Sequence, residues 1–135
     1  MATEASEELI ASNSEKVSAP ALRTFFRIAD SWDLSNKERI KLLGSPARST
    51  FYYWKHAQGV ALPRDTLERL SYVFGIYKAL QILLPRPEAA DAWIKKPNAA
   101  PLFGGHSALD RMLSGQVGDL FLVRQYLDAQ RGGWA

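Results

Sequence analysis

No segment of this chain alternates apolar and polar side chains with the period of two that a half-buried strand needs. From Pro20 onward apolar residues recur at three- and four-residue intervals, the spacing that lines one face of an α-helix. That pattern makes the chain all-α. Leu22, Phe25, Phe26 and Ala29 predict a first helix between Pro20 and Trp32. Ser35, with Glu38 three residues on, is a capping-box pattern that opens a second helix carrying Ile40, Leu42 and Leu43 and stopping at Gly44. Ser45 is the expected cap of a third helix, with Pro46 in its first turn and Phe51 and Trp54 as apolar anchors, ending near His56.

A loop from Gln58 to Pro63 precedes a long fourth helix, expected to be capped by Asp65 and to run to Leu84. Leu67, Leu70, Phe74 and Tyr77 form one stripe on it, which Val73, Ile76, Leu80 and Leu83 widen. A helix apolar over so much of its circumference is central or lies at an interface between subunits. Pro85 and Pro87 end it and open a short helix through Trp93, closed by Pro97. After a Gly/Pro-rich stretch from Asn98 to His106, Ser107 caps a short helix to Leu113, and a last helix runs from Val117 to Ala129.

The net charge of +3 is unevenly divided: residues 1–18 carry −3, residues 19–69 carry +4 and residues 70–135 carry +2. Residues 1–18 are rich in Ser, Ala and Glu, offer only Leu9, Ile10 and Val17 for burial, and are expected to form a disordered leader. The rest divides into a basic unit, 19–65, and a second unit, 66–135. The absence of cysteine excludes a disulfide scaffold and a thiolate metal site, and His56 and His106 stand too far apart for a His-rich zinc centre. No metal or cofactor is expected. The nearly apolar stretch Ala79 to Pro85 is too short to span a bilayer, and Glu4, Glu7 and Glu8 stand where a signal peptide is basic and then apolar. The expected location is the cytoplasm, away from membranes.

Two short helices joined by the turn Gly44-Ser45-Pro46 describe a helix-turn-helix. Phe51 and Trp54 are spaced to pack inward, with Thr50, leaving Arg48, Tyr52 and Lys55 on the opposite face with Ser49 and Tyr53 beside them. Arg and Lys suit phosphates and guanine edges, and Ser and Tyr hydroxyls suit phosphates, so Arg48, Ser49, Tyr52, Tyr53 and Lys55 are the candidate DNA-binding residues. Lys37, Arg39, Lys41 and Arg64 flank them. The same residues also suit a helical packing unit with a solvated basic face, and at this level both readings stand. Affinity from so modest a charge calls for a homodimer reading two half-sites.

The last third is built from turns. Trp93, Pro97, Asn98, Ala99, Leu102, Gly104, Gly105, Leu109, Leu113 and Val123 resemble the signature of the C-terminal toxin-binding domain of Xre/MbcA/ParS antitoxins, over about residues 66–131. Arg48-Ser49-Thr50, Trp54 and the Gly59 to Pro63 loop are similar to the Xre-like helix-turn-helix of the same family. Ala108, where the family often has Pro, and the stretch Ala100 to Phe103 depart from the pattern. The resemblance implies a non-enzymatic antitoxin of a type II toxin–antitoxin pair. It would bind a RES-domain toxin, one that degrades NAD or uses it for ADP-ribosylation, occlude its NAD site, and repress its own operon by binding operator DNA.

A Gly-Gly pair leading to Trp134 is an unusual ending for an unpartnered chain, since the indole has little local surface to bury against. Tyr126, Gln130, Arg131, Gly132, Gly133 and Trp134 are the candidate toxin-binding residues, with Trp134 entering the toxin's cleft. Trp93 and Phe103 are read as core. An enzyme finds no support: Glu88 and Asp91 suit a solvated helix face, and the adjacent His106 and Ser107 are not a nucleophile–base pair. The alternative function is a stand-alone dimeric helix-turn-helix repressor without a toxin partner.

Overall fold

A computed structural model of the protein describes residues 4–56 and 59–132, with side chains from Lys16 onward. Its elements are α1 (Glu4–Ser31), α2 (Asn36–Leu42), α3 (Arg48–His56), α4 (Arg64–Leu83), α5 (Pro87–Ala92), a 3₁₀ turn (Trp93–Lys95), α6 (Ala108–Met112) and α7 (Val117–Gln130). The protein is all-α, and among the described residues the one strand-like feature is an isolated antiparallel bridge between Pro97 and Ser107.

α1 corrects the expectation of a helix start at Pro20, and its first turns lie within residues 1–18. The helix begins at Glu4 and carries Pro20 inside it, where the ring withholds one backbone donor. Ser, Ala, Glu and Lys are compatible with a helix, and the later part of this stretch has a tertiary anchor. Ser18 is fully buried, and its Oγ accepts the Leu62 backbone N–H at 2.9 Å, tying α1 to the loop before α4.

One apolar cluster runs through both halves of the chain. Phe25, Trp32, Leu42, Leu43 and Phe51 from α1 to α3 join Leu70, Ile76 and Leu80 of α4, and these continue into Ile94, Met112, Leu120 and Leu127. Burial of a side chain of this size contributes about 1.5–3 kcal/mol, so the shared core outweighs any single polar contact between the halves. α4 is the central element: it packs along α7 on one side and against α1 on the other. Its wide apolar stripe is thereby used largely within one molecule. Its start is a second correction. The N-cap position is Pro63, without a side-chain cap, and Asp65 sits in the first turn, where its charge favours the N-terminal dipole.

Candidate functional site

The Ser35 capping box forms as expected: Glu38 N–H donates to Ser35 Oγ at 3.1 Å and Ser35 N–H donates to Glu38 Oε1 at 2.8 Å. At the other end of α2 the backbone closes as a Schellman motif, with Gly44 N–H donating to the Lys41 carbonyl at 3.1 Å and Ser45 N–H to the Ile40 carbonyl at 2.9 Å. Gly44 and Ser45 have φ of 96° and 60°. This corrects the assignment of Ser45 as the cap of the third helix. Ser45 completes the end of α2, Pro46 lies in the turn, and α3 starts at Arg48.

α3 turns Phe51 and Trp54 into the core and leaves Arg48, Ser49, Tyr53 and Lys55 exposed. Tyr53 is 63% exposed. Tyr52, expected on the face opposite Phe51 and Trp54, is less exposed than its neighbours there. It is half-buried edge-on to Phe51, its ring lies 5.9 Å from the Arg48 guanidinium, and its hydroxyl accepts a 3.4 Å bond from Asn36 Nδ2. Tyr52 therefore braces α3 against the start of α2. Arg39 is also engaged: it donates to Asp30 Oδ1 at 2.8 Å and to the Leu34 carbonyl at 2.9 Å. It latches α2 to α1, while Lys37, Lys41 and Arg64 remain exposed.

The second constellation centres on the turn between Pro97 and Ser107. Asn98 organises it: Oδ1 accepts the Ala100 N–H at 2.9 Å, the carbonyl accepts the Gly105 N–H at 2.8 Å, and the backbone N–H donates to the His106 carbonyl at 3.0 Å. Gly104 and Gly105 have φ of 57° and 89°, which explains why glycines stand there. Ser107 then caps α6 in a box with Asp110. Arg111, missed at the sequence level, ties the turn to α7 by donating to the Leu102 carbonyl at 3.1 Å and to Asp119 Oδ1 at 3.0 Å. Its partners lie eight and nine positions away, so no local pattern marks it.

Trp93, Phe103 and Tyr126 close one side of this unit. The Trp93 and Tyr126 rings stack at 6.4 Å, and Phe103 stands edge-on to both. Leu109 is buried and Leu113 packs against the core. Tyr126 is therefore committed to the aromatic cluster and only half-buried. Gln130 ends α7, Arg131 and Gly132 are exposed beyond it, and Gly133 and Trp134 lie outside the described residues. Elsewhere on α7, Phe121 is 45% exposed and rests edge-on against Tyr72. The Tyr72 hydroxyl is pushed above its usual pKa by desolvation and by the Glu68 carboxylate, to which it donates at 3.2 Å.

Residues 13–75 match the model of the antitoxin Xre-like helix-turn-helix domain, and residues 79–133 match that of the antitoxin Xre/MbcA/ParS C-terminal toxin-binding domain. The chain belongs to the Xre/MbcA/ParS antitoxin family. The antitoxin is also 58% identical over 122 residues to the uncharacterized protein y4oB of Sinorhizobium fredii (strain NBRC 101917 / NGR234), an alignment covering 90% of this chain and 92% of that protein. The first match takes in much of α1 and the first part of α4, and Ser18 within it is buried.

Its helix-turn-helix implies DNA binding, its C-terminal domain implies a toxin partner, and neither matched domain is a catalytic one. Among the described residues no helix is long and apolar enough to cross a membrane, and no three side chains group as metal ligands.

Proposed function

We propose that this antitoxin neutralises a RES-domain toxin by covering its NAD site and, as a homodimer in the cytoplasm, represses its own operon by setting α3 on operator DNA. In this reading Arg48, Ser49, Tyr53 and Lys55 face the DNA, and Tyr52 holds α3 in position while its hydroxyl reaches a phosphate. The observation that carries it is the presence, on one shared core, of a basic helix with exposed Arg48, Ser49, Tyr53 and Lys55 and a turn-built unit whose chain leaves α7 at exposed Arg131 and Gly132.

The tail from Gln130 through Arg131, Gly132 and Gly133 to Trp134 enters the toxin's cleft, with Trp134 in a ring-binding slot and Arg131 against a phosphate-binding or acidic wall. Truncation of an aromatic or Arg anchor at an interface costs about 2 kcal/mol or more, roughly a 30-fold loss of affinity. Exposed Phe121 on α7 and Ile82 on α4 supply apolar surface for the second copy.

The test is co-expression with any RES-type protein encoded in an adjacent reading frame. The intact antitoxin is expected to co-purify with that toxin and to stop NAD consumption. A variant lacking residues 132–135 is expected to leave the toxin active while still binding operator DNA. Full neutralisation by the truncated chain would remove the tail from the mechanism, and a protein that binds DNA but no neighbouring toxin would be a stand-alone repressor.

A further inference from the structure

A second basic feature lies outside α3. α1 and α3 border a groove of 570 Å³ lined by Arg23, Phe26, Arg27, Asp30, Arg39 and Lys55. It adjoins a cavity of 420 Å³ that shares Arg23, Phe26 and Lys55 and reaches Trp54 and His56. The carboxylate in the groove is accounted for, because Asp30 pairs with Arg39 at 2.8 Å. Arg23, Arg27 and Lys55 are exposed, and none of them has an ion-pair partner among the described residues. Arg23 and Arg27 stand at i and i+4 on α1, where like charges share a face and repel. Such a pair, facing a third cation across a groove, offers an anion three charged donors.

We propose that Arg23 and Arg27 of α1, together with Lys55 of α3, form a clamp for the phosphate backbone of DNA beside the groove that α3 enters. The proposal rests on the reading of α3 as the DNA-reading helix and extends it to α1, which precedes the two helices joined by the Gly44 turn. Phe26 packs on Phe51 at 5.8 Å, so the arginine-bearing face of α1 is held rigidly to α3. Lys55 belongs to both surfaces and makes them continuous. Four residues of helix advance about 6 Å, so the two guanidinium groups are far enough apart along α1 to contact different phosphates of one strand. Contacts of this kind set orientation and affinity and carry no sequence information.

The test uses the full-length antitoxin and fluorescence anisotropy with a labelled duplex from its own upstream region and a scrambled duplex of the same length, each titrated across a salt series. Arg23→Ala/Arg27→Ala is expected to bind both duplexes on the order of 30-fold more weakly at about 0.15 M salt, with the salt slope reduced by about 2. Arg23→Lys/Arg27→Lys is expected to retain most of the slope, which a purely structural role for the arginines would not produce. An unchanged slope in the alanine variant, with Arg48→Ala weakening binding, overturns the clamp and leaves the reading of α3 intact. Absence of binding by the wild-type protein overturns both. Loss of toxin binding without loss of DNA binding assigns the groove to a protein partner and also overturns the clamp.

Discussion

The Arg69 guanidinium donates to the Gly115 carbonyl at 3.1 Å, joining α4 to the turn before α7 across 46 positions of sequence. Its Nε donates to Asp65 Oδ2 at 2.9 Å, and the side chain is only 11% exposed. The same guanidinium lies against Gly44, so one side chain touches the turn of the helix-turn-helix and the turn that launches α7. Arg69→Ala strands a partly buried carbonyl and is expected to cost about 1–3 kcal/mol. Urea denaturation should show a lower midpoint with an unchanged slope.

Gly44 is expected to resist substitution for two reasons. Its φ of 96° is unfavourable for a residue with a side chain, and a Cβ there would lie 3.0 Å from Arg69 Nε and 3.1 Å from Asp65 Oδ2. Gly44→Ala should destabilise by about 1–2 kcal/mol from the backbone alone. DNA binding should fall further than stability does, because the turn sets the angle of α3. Gly104→Ala, with φ of 57° and open space around its Cβ, should lower the thermal midpoint without affecting DNA affinity.

Gly75 and Arg124 should be coupled. A Cβ at Gly75 would collide with the Arg124 guanidinium, which donates to the Ser71 carbonyl at 3.2 Å and pairs with Asp128. Gly75→Ala alone is expected to be near neutral, since about 1 kcal/mol of helix propensity opposes the loss of these contacts. In an Arg124→Ala background the same change should stabilise by about 1 kcal/mol. Additive energies in the double-mutant cycle would disprove the coupling.

Removal of the Ser107 cap separates local from tertiary stability. Its Oγ accepts the Asp110 N–H at 3.1 Å, and α6 has only five residues, of which Ala108, Leu109 and Met112 are buried. Ser107→Ala is expected to cost about 1 kcal/mol. Hydrogen exchange should quicken first in α6 and the turn before it, while amides of α1 to α3 keep their protection.

The Ser35 capping box, the Ser107 cap and the Gly44 stop were legible in the residues, since their partners lie within a few positions. Arg48, Ser49, Tyr53 and Lys55 were legible as an exposed face because helical spacing sets which residues lie opposite Phe51 and Trp54. Tyr52 was only half read: the same spacing puts it on that face, but Asn36 and Phe51 draw it down onto the domain. Arg23 and Arg27 drew no notice because they alternate with core residues of α1 and lie far in sequence from Lys55.

Amino-acid order alone determined that this chain is helical, where most of its helices break, and which residue types its two binding surfaces offer, because those properties come from interactions across one or two turns of backbone. The tertiary structure decided that Ser45 ends a helix instead of starting one, that Ser18 ties α1 to the loop before α4, and that Arg39, Arg69 and Arg111 serve as struts. A hydrogen bond between distant residues forms only once a shared apolar core has brought its partners together, and that core runs through α4 into both halves of the antitoxin.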